Sequence, residues 1–162
     1  MSAVSISYDV TGIEGVDAIL GRLDPLDGAE LLEGLARLVQ EQTRRRIRSE
    51  KTAPDGSAWA PNRAGTSILM RSGMLANSID YAVSATQAIV GTGLRYARIH
   101  QHGGVIKPKA AKVLAFKVGG RTVFARKVTM PKREFLGVSA DNAAELLDAA
   151  VRFVRDVIGL GR

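Results

Sequence analysis

One run of residues restricts the fold more than any other. Leu31, Leu32, Leu35, Leu38 and Val39 recur at helical spacing and draw a single apolar stripe. Asp27 stands where an N-cap would, with Glu30 three residues later in the capping-box position. Gln42 and Ile47 carry the stripe on, so the spacing predicts a helix from Gly28 to about Ser49. A helix with one apolar side must bury that side against another layer, which makes it the spine of the core. Its last turns carry Arg44, Arg45, Arg46 and Arg48. Cations there suit the negative end of the helix dipole, yet four exceed that need. Two readings stand: a solvated helix end, or a surface for an acidic partner or phosphates, which arginine forks bind through paired hydrogen bonds.

A second long helix closes the chain. Ser139 serves as its N-cap, with Asn142 at the third helical position, and Leu146, Leu147, Ala150, Val151, Val154, Val157 and Ile158 form its stripe. Strand signals lie elsewhere. Val4, Ile6, Tyr8 and Val10 alternate with Ser5, Ser7 and Asp9, the pattern of a half-buried strand. A short helix follows over Gly15–Leu23 and stops at Asp24-Pro25. Tyr81–Ser84 and Ala88–Thr92 read as a hairpin, and Val113–Val118 with Thr122–Val128 as another around Gly119-Gly120. Between them, Ser72 caps a short helix reaching Ile79, and Tyr96–His102 makes two helical turns closed by Gly103-Gly104. The expected fold is α+β, a single domain over 1–162. An antiparallel or mixed sheet packs against the two long helices, and residues 105–130 project as a hairpin arm.

Composition narrows the function. A chain of 162 residues is one domain, and with aromatics at 5% its core is built from Leu, Val, Ile and Ala. Trp59, the sole tryptophan, is expected to plug its loop onto that core, following the turn Ala53-Pro54-Asp55-Gly56. No cysteine means no disulfide, thiolate nucleophile or Cys-based zinc site. The first ten residues lack the features of a secretory signal, and no apolar run is long enough for a membrane span, so no membrane contact is expected. The net charge of +7 suits nucleic acid or an acidic protein face, or simply solubility.

Catalytic chemistry finds little footing. His100 and His102 are the only histidines and stand two apart, so on a helix they point away from each other, and no third ligand accompanies them. Gly91-Thr92-Gly93 lacks the lysine or further glycine of a phosphate cradle. No cofactor, metal or enzymatic activity is expected. His100 reads as a hydrogen-bonded structural residue. Lys107, Lys109 and Lys112 before the second hairpin, and Arg121, Arg126, Lys127, Lys132 and Arg133 in or after it, make a basic ribbon. It could enter a nucleic-acid groove or guard an edge strand.

Four segments in order resemble the phage virion morphogenesis proteins, also called tail completion proteins, of Mu-like and related contractile-tailed phages. They are Ala53-Pro54-Asp55-Gly56-Ser57-Ala58-Trp59; Ile68-Leu69-Met70-Arg71-Ser72-Gly73-Met74-Leu75-Ala76-Asn77-Ser78-Ile79; Gly91-Thr92-Gly93-Leu94-Arg95-Tyr96-Ala97-Arg98-Ile99-His100-Gln101-His102-Gly103-Gly104; and Arg133-Glu134-Phe135-Leu136-Gly137. The likeness spans about Leu31 to Ile158. It departs from the family pattern at His102 and Glu134, where an aromatic and a proline are common, and in a short loop after Trp59. The resemblance implies a structural protein that caps the tail tube and helps it join the head. Rings of subunits, commonly six, would contact tail tube and head-connector proteins, with DNA in the channel as a further neighbour. Such a protein would act in the host cytoplasm during assembly and then in the virion tail. A sequence-nonspecific nucleic-acid-binding protein using the basic patches is the competing reading, and a hydrolase built on His100 the weakest.

Overall fold

A computed structural model describes residues 6–9, 25–63 and 65–157. The helix expected over Gly15–Leu23 lies outside these residues, as do Val4, Ser5 and Val10 of the first expected strand and Ile158 of the last stripe. The first strand, β1, is Ile6–Asp9. Helix α1 runs from Pro25 to Arg45 and passes into a single π-helical turn, Arg46–Glu50. The start is three residues earlier than the capping signal implied. Proline is well tolerated in a first helical turn, where its missing N–H has no helical acceptor. Asp27 therefore lies inside the helix rather than capping it.

A short helix α2 (Met74–Asn77) leads into a hairpin of β2 (Asp80–Val83) and β3 (Ala88–Thr92). Gly73, with φ of 70°, occupies the α2 cap position, so Ser72 sits one residue further out, its Oγ 3.4 Å from the Met74 N–H. The β2–β3 turn has no glycine because Ser84 closes it. Its N–H donates to the Gln87 carbonyl and its Oγ accepts the Gln87 N–H. Strand β3 is central, pairing antiparallel with β1 on one side and β2 on the other. Helix α3 (Ala97–His102) then precedes β4 (Gly104–Ile106), β5 (Leu114–Val118), β6 (Arg121–Ala125) and β7 (Val128–Met130). Helix α4 (Ala140–Val157) ends the described chain, and the Ser139 Oγ caps it by accepting the Asn142 N–H at 3.1 Å.

The architecture is α+β, and among the described residues the expected sheet is three small antiparallel ones. Helix α1 is the spine: it packs on α4 on one side and on β2 and β3 on the other. Leu31, Leu32, Leu35, Ala36 and Val39 of α1 meet Ile79, Val90, Leu146 and Ala150 in one core, all 9% exposed or less. The apolar stripe of α4 is narrower than its sequence suggested. Leu146 and Ala150 are buried, whereas Leu147 and Val157 are about 40% exposed. The helix instead turns Phe153 and Ala149 toward the core.

The projecting ribbon also differs in detail. Thr122–Val128 is not one strand: β6 ends at Ala125, and Val128 belongs to β7. Strand β7 pairs with β4 at the base of the arm, and β5 pairs with β6 at its tip. Arg126 and Lys127 break the ladder between the two pairs. At the tip, Gly119 (φ 56°) and Gly120 (φ 82°) make a two-residue turn that needs positive φ at both positions, hence two glycines.

Candidate functional site

The residues quoted for the family likeness converge on one junction, from which the arm springs. At its centre is Gln101, fully buried on α3. Its Oε1 accepts the N–H groups of Phe135 and Leu136, both at 3.0 Å, and its Nε2 donates to the Leu136 carbonyl at 2.9 Å. One amide side chain thus takes the place of a strand partner for the segment Arg133–Gly137. The Arg133 N–H adds a bond of 2.7 Å to the His100 carbonyl. Phe135 and Leu136, both 1% exposed or less, pin the segment into the core.

The Pro54–Gly56 turn clasps the same segment from outside. The Asp55 carboxylate accepts both the Oγ–H and the N–H of Ser57, and these two bonds hold its pKa below the usual carboxylate range. The returning chain brings Trp59 inward, 6% exposed, with its indole N–H donating to the Glu134 carbonyl at 3.1 Å. Arg133, 4% exposed, donates to the carbonyls of Ala60 and Pro61. Gly137 has φ of 146°, and a Cβ there would lie 2.5 Å from Pro54 Cγ. Gly103, with φ of 70°, is packed just as closely, since a Cβ would sit 2.8 Å from the Lys132 backbone nitrogen. It brings the base of the arm against the Met130–Lys132 backbone.

The arginine cluster of α1 does not form one surface. Arg46 is 1% exposed, so it is no part of an exposed interaction patch. Its guanidinium donates to the carbonyls of Phe135 (3.1 Å) and Gly137 (2.8 Å) and to Asn142 Oδ1 (2.6 Å). The Glu50 carboxylate is 4.0 Å away, and burial lowers the Arg46 pKa. The π-turn explains this placement: the extra residue per turn puts Arg46 and Ile47 both inside. Arg44 reaches the Ile79 carbonyl, Arg45 bridges Glu50 and Glu145, and Arg48 donates to Asn77 Oδ1. The four arginines therefore stitch α1 to its neighbours, and Arg45 and Arg48 alone are exposed.

An open pocket of about 350 Å³ lies beside the junction, bordered by Arg71, Ser72, Leu75, Tyr96, His100 and Arg133 among others. Ser78, behind Leu75, hydrogen-bonds Thr92 Oγ1 at 2.7 Å and ties α2 to β3. The expected side-chain hydrogen bond of His100 is missing at Nδ1, which is buried without a partner among the described residues. Burial first, and then the Arg133 charge, hold the imidazole pKa below its ordinary value. The Tyr96 ring meets it edge to face at 6.1 Å. No serine is held against that nitrogen, and among the described residues no group of three His, Cys, Asp or Glu side chains could hold a metal. No described helix is long and apolar enough to cross a membrane.

The arm contrasts with the junction in every respect. Lys107, Lys109, Lys112, Lys117, Arg121, Arg126 and Lys127 are all exposed, and none makes a salt bridge among the described residues. Residues 105–130 contain these seven cations and no carboxylate. Removing them from the chain's 23 leaves 16 cations against 16 carboxylates, so the whole net charge of +7 resides in the arm. Phe124 at the tip is 67% exposed, and Val105, Ile106, Val113 and Val123 are all 38% exposed or more.

Sequence reasoning passed over Gln40, quoted Gln101 in the family likeness without giving it a role, and placed Gln42 on the apolar stripe without its partners. Gln42 bonds Glu145 and the Asn142 carbonyl, and Gln40 bonds the Ile79 carbonyl. The available signal was a polar residue at a core-facing position, since Gln101 lies four residues after the buried Ala97. Neither a curated protein nor a solved structure matches the chain. Residues 11–155 match the model of the phage virion morphogenesis family, which takes in both the junction and the arm, and the chain belongs to that family, with a part in building phage particles.

Proposed function

We propose that the protein is a structural tail completion, or terminator, protein that caps the tail tube and helps it join the head. It works by binding and not by turnover, and it needs no cofactor. Its own copies, assembled in a ring of about six as the resemblance to tail-terminating proteins implies, would be one partner. Tail tube and head-connector proteins would be the others. It would act in the host cytoplasm during assembly and then remain in the tail. One observation carries this reading: a buried, hydrogen-bonded junction holds out a ribbon whose apolar side chains are exposed. A two-stranded ribbon is marginally stable in water by itself, so such an arm is suited to becoming ordered against a partner. A ring subunit needs two different surfaces that meet head to tail, and an arm with a body supplies them.

The test is co-sedimentation with assembled tail tubes, using the full chain and a chain in which residues 109–127 are replaced by a short Gly-Ser linker. The full chain should sediment with tubes, and the shortened chain should stay in solution while keeping the far-UV circular dichroism of its helices. A full chain with no affinity for tubes or connectors would overturn the proposal. The seven arm cations, which make no salt bridge among the described residues, favour a second reading, sequence-nonspecific binding of duplex DNA, which would weaken steeply with added salt.

A further inference from the structure

The charge of this chain is divided between two places. The arm holds seven cations and no carboxylate, while residues 1–41 hold eight carboxylates against Arg22 and Arg37 alone. Part of that acidic tract is the exposed side of α1. Glu30, Glu33 and Glu41 lie there in line with Arg37, spanning about 16 Å at the helical rise of about 1.5 Å per residue. The five-residue tip strands of the arm span about 13 Å from end to end, at about 3.3 Å per residue. Elsewhere in the body Glu50 and Glu145 pair with Arg45, Asp148 with Arg152 and Glu134 with Lys132, while Asp55, Asp80, Asp141 and Asp156 make no salt bridge among the described residues but do not line up along one helix. On α1, the ion-pair partners of Glu33 and Glu41 among the described residues are Arg37 and Arg44, in pairs with at least one side chain open to water. Such pairs are weak and exchange readily.

We infer that the arm of one subunit docks along the acidic exposed side of helix α1 of a second copy. The inference rests on the reading that the protein works by assembling with its own copies, and it names the surfaces that meet. The two faces are complementary in charge and comparable in length, and they lie on different parts of one chain. One such contact leaves the first subunit its helix and the second its arm, so it can be repeated head to tail with further copies. Apolar side chains such as Phe124 supply the burial that long-range attraction lacks. The attraction sets encounter and register, so association should fall as salt rises.

The experiment is a charge exchange. One variant carries Lys109→Glu, Lys112→Glu and Lys117→Glu on the arm; the other carries Glu30→Lys, Glu33→Lys and Glu41→Lys on α1. All six side chains are at the surface, and circular dichroism checks that both variants fold. Solution mass is followed by light scattering at low ionic strength over a range of concentrations. Wild-type chains should associate, and each variant alone should associate about 100-fold or more weakly, because like charges then face each other. An equimolar mixture of the two variants should regain association, since each arm again meets a helix of opposite sign. A mixture as weak as its components would overturn the inference, as would wild-type chains that stay monomeric at every concentration. Loss of duplex DNA binding on arm reversal, with self-association unchanged, would also overturn it. Co-sedimentation of the same proteins with tail tubes keeps the two proposals apart. Wild-type chains that bind tubes while the mixture fails would leave the tail reading standing and remove this interface.

Discussion

Replacing Gln101 with methionine tests the junction at its centre. Methionine keeps the length and most of the volume of glutamine, so the cavity term is small. What is lost is the set of bonds to the Phe135 and Leu136 N–H groups and to the Leu136 carbonyl. These backbone groups lie in a core where Phe135, Leu136 and Gln101 are each 1% exposed or less, so water cannot replace the side chain without local opening. Leaving a buried polar group unsatisfied costs about 1–3 kcal/mol. Three such groups, with partial relaxation of the loop, give a loss of about 3–5 kcal/mol. For a chain of this size that corresponds to a fall in Tm of about 6–20 °C. Urea unfolding followed by Trp59 fluorescence is the assay, because Trp59 leans on the same segment through the Glu134 carbonyl. The exposed neighbour His102→Gln serves as control and should change stability by less than about 0.5 kcal/mol. A loss below about 1 kcal/mol for Gln101→Met would refute the claim that this amide holds the Arg133–Gly137 segment in place.

Two further outcomes follow from the same geometry. Gly137→Ala should destabilise by about 2–4 kcal/mol, because the new Cβ meets Pro54 and because alanine resists a φ of 146°. Adding Pro54→Ala should recover part of that loss in thermal denaturation, the steric part alone; full recovery would show that the backbone angle carries no strain. His100 should make stability depend on pH. Its folded pKa is lowered by burial and by Arg133, so the unfolded chain binds the proton more readily. Stability from this residue is then complete above the unfolded pKa of about 6.5 and declines as pH falls below it. Denaturation midpoints measured from pH 7.5 to 5 should fall less steeply in His100→Gln, and parallel curves would contradict the assignment.

The family likeness lay in the same residues that the structure brings together. Pro54, Trp59, His100, Gly103, Arg133 and Gly137 are scattered over more than 80 positions, and each forms part of the junction or its rim. Their identities could be read from the sequence, but not their meeting. The arginines show the limit most clearly. Arg44, Arg45, Arg46 and Arg48 look alike along the chain, yet one is buried and the others are tied to separate neighbours. A π-turn decided this, and no local pattern announces one because its stability comes from what the displaced side chains find. Gln101 was quoted in the likeness but its role stayed hidden for a related reason. A glutamine on a six-residue helix reads as a surface residue until a loop 34 positions later presents two N–H groups to it.

The sequence by itself determined the elements whose causes are local. The apolar stripe of α1, the Ser139 cap of α4 and the Gly119-Gly120 turn each need only neighbouring residues and standard backbone preferences. It also determined the basic character of the arm, since charge is a property of composition. Tertiary structure alone decided how the helices and loops close around Phe135 and Leu136, which strand Val128 joins, and which cations remain free. Those outcomes depend on hydrogen-bond partners and packing surfaces supplied from distant parts of the chain, and such long-range complementarity leaves no periodic mark in the residues that provide it.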